Sequence, residues 1–561
     1  MSVTRYFPIA GWLKTYRAEW LRFDIVAGLT TGAVVIPKAM AMATVAGLPV
    51  ELGLYTSLLP MAVYALLGTS RPLSMSTTAT IGILTGAALT EVLHAGSPEQ
   101  MIAATATLTF MVGAALLLGS VLKLGAVANF ISDPVLIGFK IGLGFVIVAD
   151  QLPKLFGIHY AKAGFFRDLV SLVRHLPETS IPTLVLAVVT LLVVFLLERF
   201  WRTMPAPLVA VVGGIAASGL LELGKSGVAT VGRMPAGLPG FHLPGPMLIE
   251  QLWPAAIGIA LMSFAETVAV GRAFAGVGDP RPDADQELRA IGLANLAASM
   301  FHSIPVGGGT SQTAVNCRAG AKTQVSELAT VGVTVLACLF LAPLIGLMPQ
   351  ATLAAVVIAT AVGLLNPKEL VVIRHIRHME FWWGVSAALG VVFLGTLHGI
   401  LVAVIISLAA LVFETNRAPV YSLVRKPGTN VFRPRSAEHP EDEAIPGLLI
   451  MRTQGTMYFA NAQRVGDQIW TLFRETKPRV VVFDCTGIPD FEYTALRMLI
   501  TGEEKLKAAG AELWMAGLTP VALRMVRRSV LGDRLGRDRM CFDVPQAVAR
   551  FQALDQNTPA A

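Results

Sequence analysis

Between residues 24 and 414 the chain returns repeatedly to long apolar stretches with almost no charge. No other feature restricts its possible folds so strictly. A helix needs about 20 mostly apolar residues to cross bilayer hydrocarbon, and only helices and closed barrels satisfy their backbone there. Residues 1–413 hold 44 charged side chains, about 11% of that part, whereas residues 414–561 hold 37 in 148, or 25%. The first part reads as lipid-embedded, and the second has the composition of a soluble domain. The net charge of +7 suits a membrane protein with basic cytoplasmic loops. No dense Lys/Arg stripe with interleaved aromatics points to nucleic acid. Cys317, Cys338, Cys485 and Cys541 show neither CxxC nor zinc spacing, so reduced, inert thiols and no metal are expected.

The apolar pattern predicts fourteen spans: 24–45, 52–68, 77–94, 101–121, 133–151, 181–199, 205–222, 252–275, 287–302, 310–318, 326–348, 350–365, 380–398 and 399–414. Two of them follow stretches rich in small and hydroxyl residues, RPLSMSTTAT (71–80) and PVGGGTSQTAV (305–315). Irregular backbone at membrane depth survives only where protein or a watery cavity covers it. These interruptions fall at corresponding places in two halves of seven spans, so the second half is expected to be inverted. Paired interrupted helices of this kind mark a midplane binding site. The first span, with Pro37 inside it, is expected to be broken as well.

Arg5, Lys14, Arg17 and Arg22 precede the first span and place the N-terminus in the cytoplasm. The opening MSVTRYFPIAGWLKTYRAEW holds no uninterrupted apolar run, so the first span is expected to act as the targeting signal. After a Pro- and charge-rich linker (415–445), apolar runs such as RVVVFDC alternate with helical periods over residues 446–555. That alternation predicts one small α/β domain, cytoplasmic after an even number of spans.

Residues 24–70, DIVAGLTTGAVVIPKAMAMATVAGLPVELGLYTSLLPMAVYALLGTS, resemble the opening signature of the SulP family of anion transporters, the solute carrier 26 family. Residues 266–323, from ETVAVGRAF to NCRAGAKT, are similar to its second signature, and the tail resembles a STAS domain. The resemblance covers roughly residues 20–555. It implies an α-helical membrane fold of fourteen segments in a 7+7 inverted repeat. A core would move against a gate made of spans 5–7 and 12–14, usually in a homodimer. The substrate would sit between the N-termini of two half-helices in the core.

Helix N-termini carry unsatisfied N–H groups and roughly half a positive charge, so two that face each other form an anion site. Here they fall near Thr77, Thr78 and Ala79, and near Gly309, Thr310, Ser311 and Gln312. Hydroxyls at Thr77, Thr78 and Ser311 can donate to anion oxygens, and Gly307, Gly308 and Gly309 allow close backbone approach. The plainer reading is that these residues cap and pack membrane helices. Ser76-Thr77 replaces the glycine-proline usual in the family near the start of the third span, and two further positions depart from the family pattern. Lys38 stands where Gln is usual after the proline, and Gln312 stands where Arg is usual after Ser311. Lys38 is therefore expected to supply the cation that the usual Arg would supply, or else to snorkel to an interface.

Glu266 lies within the apolar run IGIALMSFAETVAV. A bare carboxylate is costly there, so a proton-coupling role is expected, or a structural pairing with Lys38 or Arg272. Asn295 and Asn316 are expected to pack across helices. Thr494 falls where STAS domains related to anti-sigma antagonists carry a phosphorylatable Ser or Thr, although capping of a helix explains a Thr there too.

Together these features predict a secondary active transporter of a small anion, working by alternating access, and not an enzyme. Sulfate leads, with bicarbonate and C4-dicarboxylate behind it, and a coupling proton is favoured over sodium. An exchanger, a channel, or a membrane-anchored anion sensor that signals through STAS are the alternatives. No cofactor is expected. The partners are the anion, the coupling ion, the lipid bilayer and a second copy. The expected location is a bacterial inner membrane.

Overall fold

A computed structural model describes residues 8–93, 97–129, 132–158, 160, 165–201, 204–232, 234–245, 248–276, 282–416 and 418–556. Arg5 lies outside them. The chain divides into two compact units, Met1–Leu408 and Ala409–Ala561.

The first unit is helical. Its principal elements are α1 (Trp20–Val45), α2 (Val50–Tyr55), α3 (Leu59–Leu67), β1 (Met75–Ser76), α4 (Ala79–Leu93), α5 (Pro98–Val121), α6 (Asp133–Phe156), α7 (Ile181–Phe200) and α8 (Ala206–Leu220). After these come α9 (Ile249–Ala273), α10 (Ala284–Ser299), β2 (Gly307–Gly308), α11 (Thr310–Arg318), α12 (Val325–Leu336), α13 (Gln350–Val362), α14 (His378–Leu394) and α15 (Thr396–Thr415). Among the described residues, eight helical stretches are long and apolar enough to cross a membrane. Large side chains such as Leu192, Phe195, Phe340 and Ile405 are exposed on this unit, as a lipid-facing surface requires.

The helices pack in two groups. In one, α5 runs along α9 and α10, α12 lies on α1, and α10 lies on α3. In the other, α6 packs with α13 and α14, and α7 with α8 and α13. Within the first group, β1 and β2 pair antiparallel, Met75 opposite Gly308 and Ser76 opposite Gly307. This two-residue crossing brings the starts of α4 and α11 together. The expected break in the first span does not occur: Pro37 lies inside a continuous α1. Proline removes one backbone hydrogen bond, and packing by neighbouring helices offsets that loss. The predicted 52–68 span is the broken one, divided into α2 and α3. The division between the last two spans falls at Gly395, with φ +86°, and not at residue 398.

The second unit is an α/β domain. Its six-stranded sheet has the order β4-β3-β5-β6-β7-β8, with β3 (Val420–Arg425), β4 (Phe432–Pro434), β5 (Leu448–Thr453), β6 (Val480–Asp484), β7 (Glu512–Ala516) and β8 (Met540–Cys541). β5 to β8 are parallel, while β3 is antiparallel to both β4 and β5. Alternation along the strands sorts the core. Leu449, Met451, Val481 and Phe483 face α16 (Ala462–Thr476), α17 (Tyr493–Ala508) and α18 (Pro520–Arg527). Leu448, Ile450, Val482 and Trp514 face α19 (Val544–Gln556). The segment expected to be a linker thus contains β3 and β4, which extend the sheet beyond β5.

Candidate functional site at the strand crossing

The site is built where β1 turns into α4 and β2 turns into α11. Both turns are held from behind by α9. Ser263 Oγ donates to Val306 O at 2.7 Å, and Gly308 N donates to Thr267 Oγ1 at 2.8 Å. A Cβ on Gly308 would lie 2.9 Å from Thr267 Cα, and one on Gly307 would lie 2.8 Å from Ile81 Cδ1. These two glycines are therefore required by the fit of β2 against α9 and α4, which accounts for their smallness without any ligand.

At the start of α4, Thr78 flanks the first turn, and its Oγ1 accepts from Ile81 N at 3.3 Å. The same hydroxyl donates to Glu266 Oε2 at 2.9 Å, and Thr80 Oγ1 donates to Glu266 Oε1 at 2.8 Å. Glu266, on α9 and only 8% exposed, thus lays its carboxylate against the positive end of α4. Thr77 Oγ1 is buried and, among the described residues, has no hydrogen-bond partner. Ala79 begins the helix and is half-buried.

At the start of α11, Gly309 is the N-cap, and Thr310 and Ser311 are exposed. Lys38, on α1 and 7% exposed, donates from Nζ to Ser311 Oγ at 2.8 Å. The expected ion pair between Lys38 and Glu266 is not formed, because each charge has hydroxyl partners of its own at a different helix end. The structure therefore brings together Lys38, Thr78, Glu266 and Ser311 around two helix N-termini.

Gln312 behaves differently. It is fully buried, its Nε2 donates to Ser74 O at 3.0 Å, and its Oε1 accepts from Ser76 Oγ at 3.1 Å. It ties α11 to β1 and has no free face toward an anion. Gly309 N also donates to Ser74 O, and Ser74 N donates to Thr313 Oγ1. Asn316 reaches Pro72 O and Ser326 Oγ at 3.0 Å, and Asn295 holds Val306 through both its N–H and its C=O. Three buried acids went unnoticed in the sequence. Asp24 accepts from Lys322 N and Thr323, Glu287 accepts from Tyr64 and Thr69, and Glu327 lies under β1. They sit at predicted span edges, where charge draws no attention.

In the second unit, Glu492, not Thr494, is the N-cap of α17. Thr494 is the second helical residue and is exposed, so the expected capping role is withdrawn. A capping side chain must precede the first turn to reach its N–H groups.

Two half-helices meeting N-terminus to N-terminus across a strand crossing, in a membrane unit followed by an α/β domain, define a membrane transporter and not an enzyme. The sulfate permease family profile matches residues 21–387, and the STAS domain profile matches residues 439–544. This chain belongs to the sulfate permease family. It is 32% identical to a probable sulfate transporter of Mycobacterium tuberculosis, over 97% of this chain and 98% of that protein. It is 27% identical to high affinity sulfate transporter 1 of Stylosanthes hamata, over 97% of this chain and 86% of that protein. Murine solute carrier 26 family member A9 shares the fold with a TM-score of 0.88 at 21% identity, over 98% of this chain and 94% of that one. The transmembrane domain of a cyanobacterial bicarbonate transporter matches 69% of this chain and 98% of its own, with a TM-score of 0.60 at 23% identity.

Proposed function

We propose that this protein is a proton-coupled secondary active transporter of small oxyanions, with sulfate foremost. The observation that carries the reading is the placement of two opposite charges at two helix N-termini. Lys38 is anchored on Ser311 at α11, and Glu266 is seated on Thr78 and Thr80 at α4.

The coupling follows from competition. While Glu266 is ionised, its carboxylate occupies the donors and the positive end of α4 that an anion would need. Protonation removes that negative charge and frees the hydroxyls of Thr78 and Thr80. An oxyanion can then bridge α4, the Ser311 hydroxyl and the Lys38 ammonium. Proton and anion therefore bind together, and an alternating core carries both. A proton fits better than sodium, because both Glu266 oxygens already serve hydroxyl donors. Sulfate is placed first because of the names of the mycobacterial and plant relatives. The same reading places the N-terminus and the STAS domain in the cytoplasm of a bacterial cell. It further assigns STAS to regulation or contact within a homodimer.

The test is uptake of labelled sulfate, bicarbonate and succinate by purified protein in liposomes under imposed pH or sodium gradients. Sulfate uptake should rise with an inward proton gradient and ignore sodium. Glu266→Gln should transport without responding to the proton gradient. A variant that keeps the full response would refute the coupling role of Glu266.

A further inference from the structure

Between α8 and α9 the chain crosses from one helix group to the other as a strap, residues 227–232 and 234–245, with no helix of its own. At its start the strap lies on α13 of the second group. Gln350 N donates to Ala229 O at 2.9 Å, Val231 N to Met348 O at 2.9 Å, and Gly232 N to Gly346 O at 3.1 Å. Farther along it lies on the first group. Gly237 N donates to Cys338 O at 3.1 Å, just past the end of α12, and His242 N donates to Met300 O at 2.8 Å, at the end of α10. Thr107 Oγ1 of α5 donates to Gly245 O at 3.0 Å. Gly232, with φ +90°, and Gly237, with φ +130°, have open space where a Cβ would stand. Their freedom serves the turns of the strap and not its packing.

Side chains close the far fastening like a clasp. Phe241 meets Phe301 edge-on, with ring centroids 5.7 Å apart and planes at 70°. The next residues stack: the rings of His242 and His302 have centroids 5.2 Å apart and planes at 24°. His302 is held at φ +51°, a left-handed conformation that costs strain in a residue with a Cβ. Two ring pairs and a backbone hydrogen bond thus meet on a strained turn that follows α10.

The stack also brings two titratable groups together. Near neutral pH both imidazoles are uncharged, but below about pH 6.5 a free histidine takes up a proton. Two imidazolium rings this close repel, so the closed clasp accepts a second proton less readily than an open one. Acid therefore favours the open form. Among the described residues, burial and the His242 ring are the influences on His302, and no carboxylate is among them. The other ionisable groups on the elements packed here are Glu91 on α4, Glu99 on α5 and Glu250 on α9, all exposed. Cys338 is buried, and Lys225, which precedes the strap, is paired with Glu222 at 2.6 Å. His94 and Arg233 lie outside the described residues.

We propose that residues 237–245 form an acid-released clasp that ties the strap to the end of α10, with the stacked His242 and His302 as its sensor. Closed, the clasp limits how far the first helix group moves past the second. Open, it lets the strap turn about Gly232 and Gly237. Only this consequence for motion of the core rests on the transporter reading, since release of the clasp is measured without transport.

The test is hydrogen–deuterium exchange of the full-length protein in lipid nanodiscs at pH 7.5 and 4.5, each rate divided by that of the unprotected peptide at the same pH. Two like charges 5.2 Å apart, even at the dielectric of water, lower the closed population about fourfold. Protection of residues 237–245 should fall by that factor at pH 4.5, while residues 229–232, fastened to α13, should change less than twofold. His302→Asn should abolish the fall, because asparagine tolerates the left-handed conformation and takes up no proton. His242→Gln should abolish it too, and carries the test if His302→Asn does not fold. A wild-type fall below twofold, an equal fall in both segments, or an undiminished fall in the variants would overturn the proposal.

Discussion

Replacing Lys38 by glutamine removes one positive charge and one charged donor from the start of α11. The ammonium sits 2.8 Å from Ser311 Oγ and is only 7% exposed, so water screens it little. An oxyanion about 4 Å away at an effective dielectric near 20 would gain about 4 kcal/mol from this charge. Desolvation of the ammonium offsets part of that, and the glutamine amide retains a neutral hydrogen bond worth about 1 kcal/mol. The net loss is about 2 kcal/mol, or roughly thirtyfold in anion affinity. KM for labelled sulfate in liposomes reads this directly, alongside a melting curve. Lys38→Gln should melt no lower than wild type, because a buried ammonium stabilises the fold little. Lys38→Arg should recover part of the affinity, since it keeps the charge but presents a planar fork. A change in KM below about threefold, with the protein folded, would refute the assignment of Lys38 as the site's cation.

Gly308→Ala should destabilise the protein by about 1–3 kcal/mol, because the new methyl meets Thr267 backbone at 2.9 Å; a melting temperature equal to wild type would contradict the packing described. Gly502→Ala is the opposite case, a helical glycine in α17 with nothing within 4 Å of the added Cβ, and should stabilise the second unit by about 0.5–1 kcal/mol in chemical unfolding. Arg452→Met strands the fully buried Asp484, which loses a guanidinium at 2.6 Å and, among the described residues, keeps only Thr486 as donor. Hydrogen exchange along β6 should reveal a loss of about 3 kcal/mol, and adding Asp484→Asn should restore part of it.

Much of the architecture was readable because its signals are local. Each predicted apolar segment contains helix, and strand–helix alternation in the tail matches a sheet with helices on both faces. The positions of the half-helix starts were readable too, since hydroxyl-rich stretches interrupt the apolar pattern just before Ala79 and Thr310. The partners of the site residues were not. Lys38 and Ser311 are 273 residues apart, and Thr78 and Glu266 are 188 apart. Pairing across such distances depends on how helices are laid side by side, and no periodicity reports it. The β1–β2 crossing escaped notice for a related reason, since two residues are too few to show an alternation. Gln312 was expected to face the anion, yet its side chain is turned onto Ser74 and Ser76. Residue type alone cannot distinguish a ligand from a strut.

By itself, the sequence determined that this chain lies in a membrane, that its helices are interrupted in two corresponding places, and that an ordinary charged domain follows. Those properties depend on hydropathy and backbone chemistry, which each segment carries with it. The tertiary structure decided which charges meet which hydroxyls. It seated Glu266 on Thr78 and Thr80, held Lys38 on Ser311, and kept α1 continuous through Pro37. The energy of a buried charge depends on groups a few ångströms away, and folding draws those groups from distant parts of the chain.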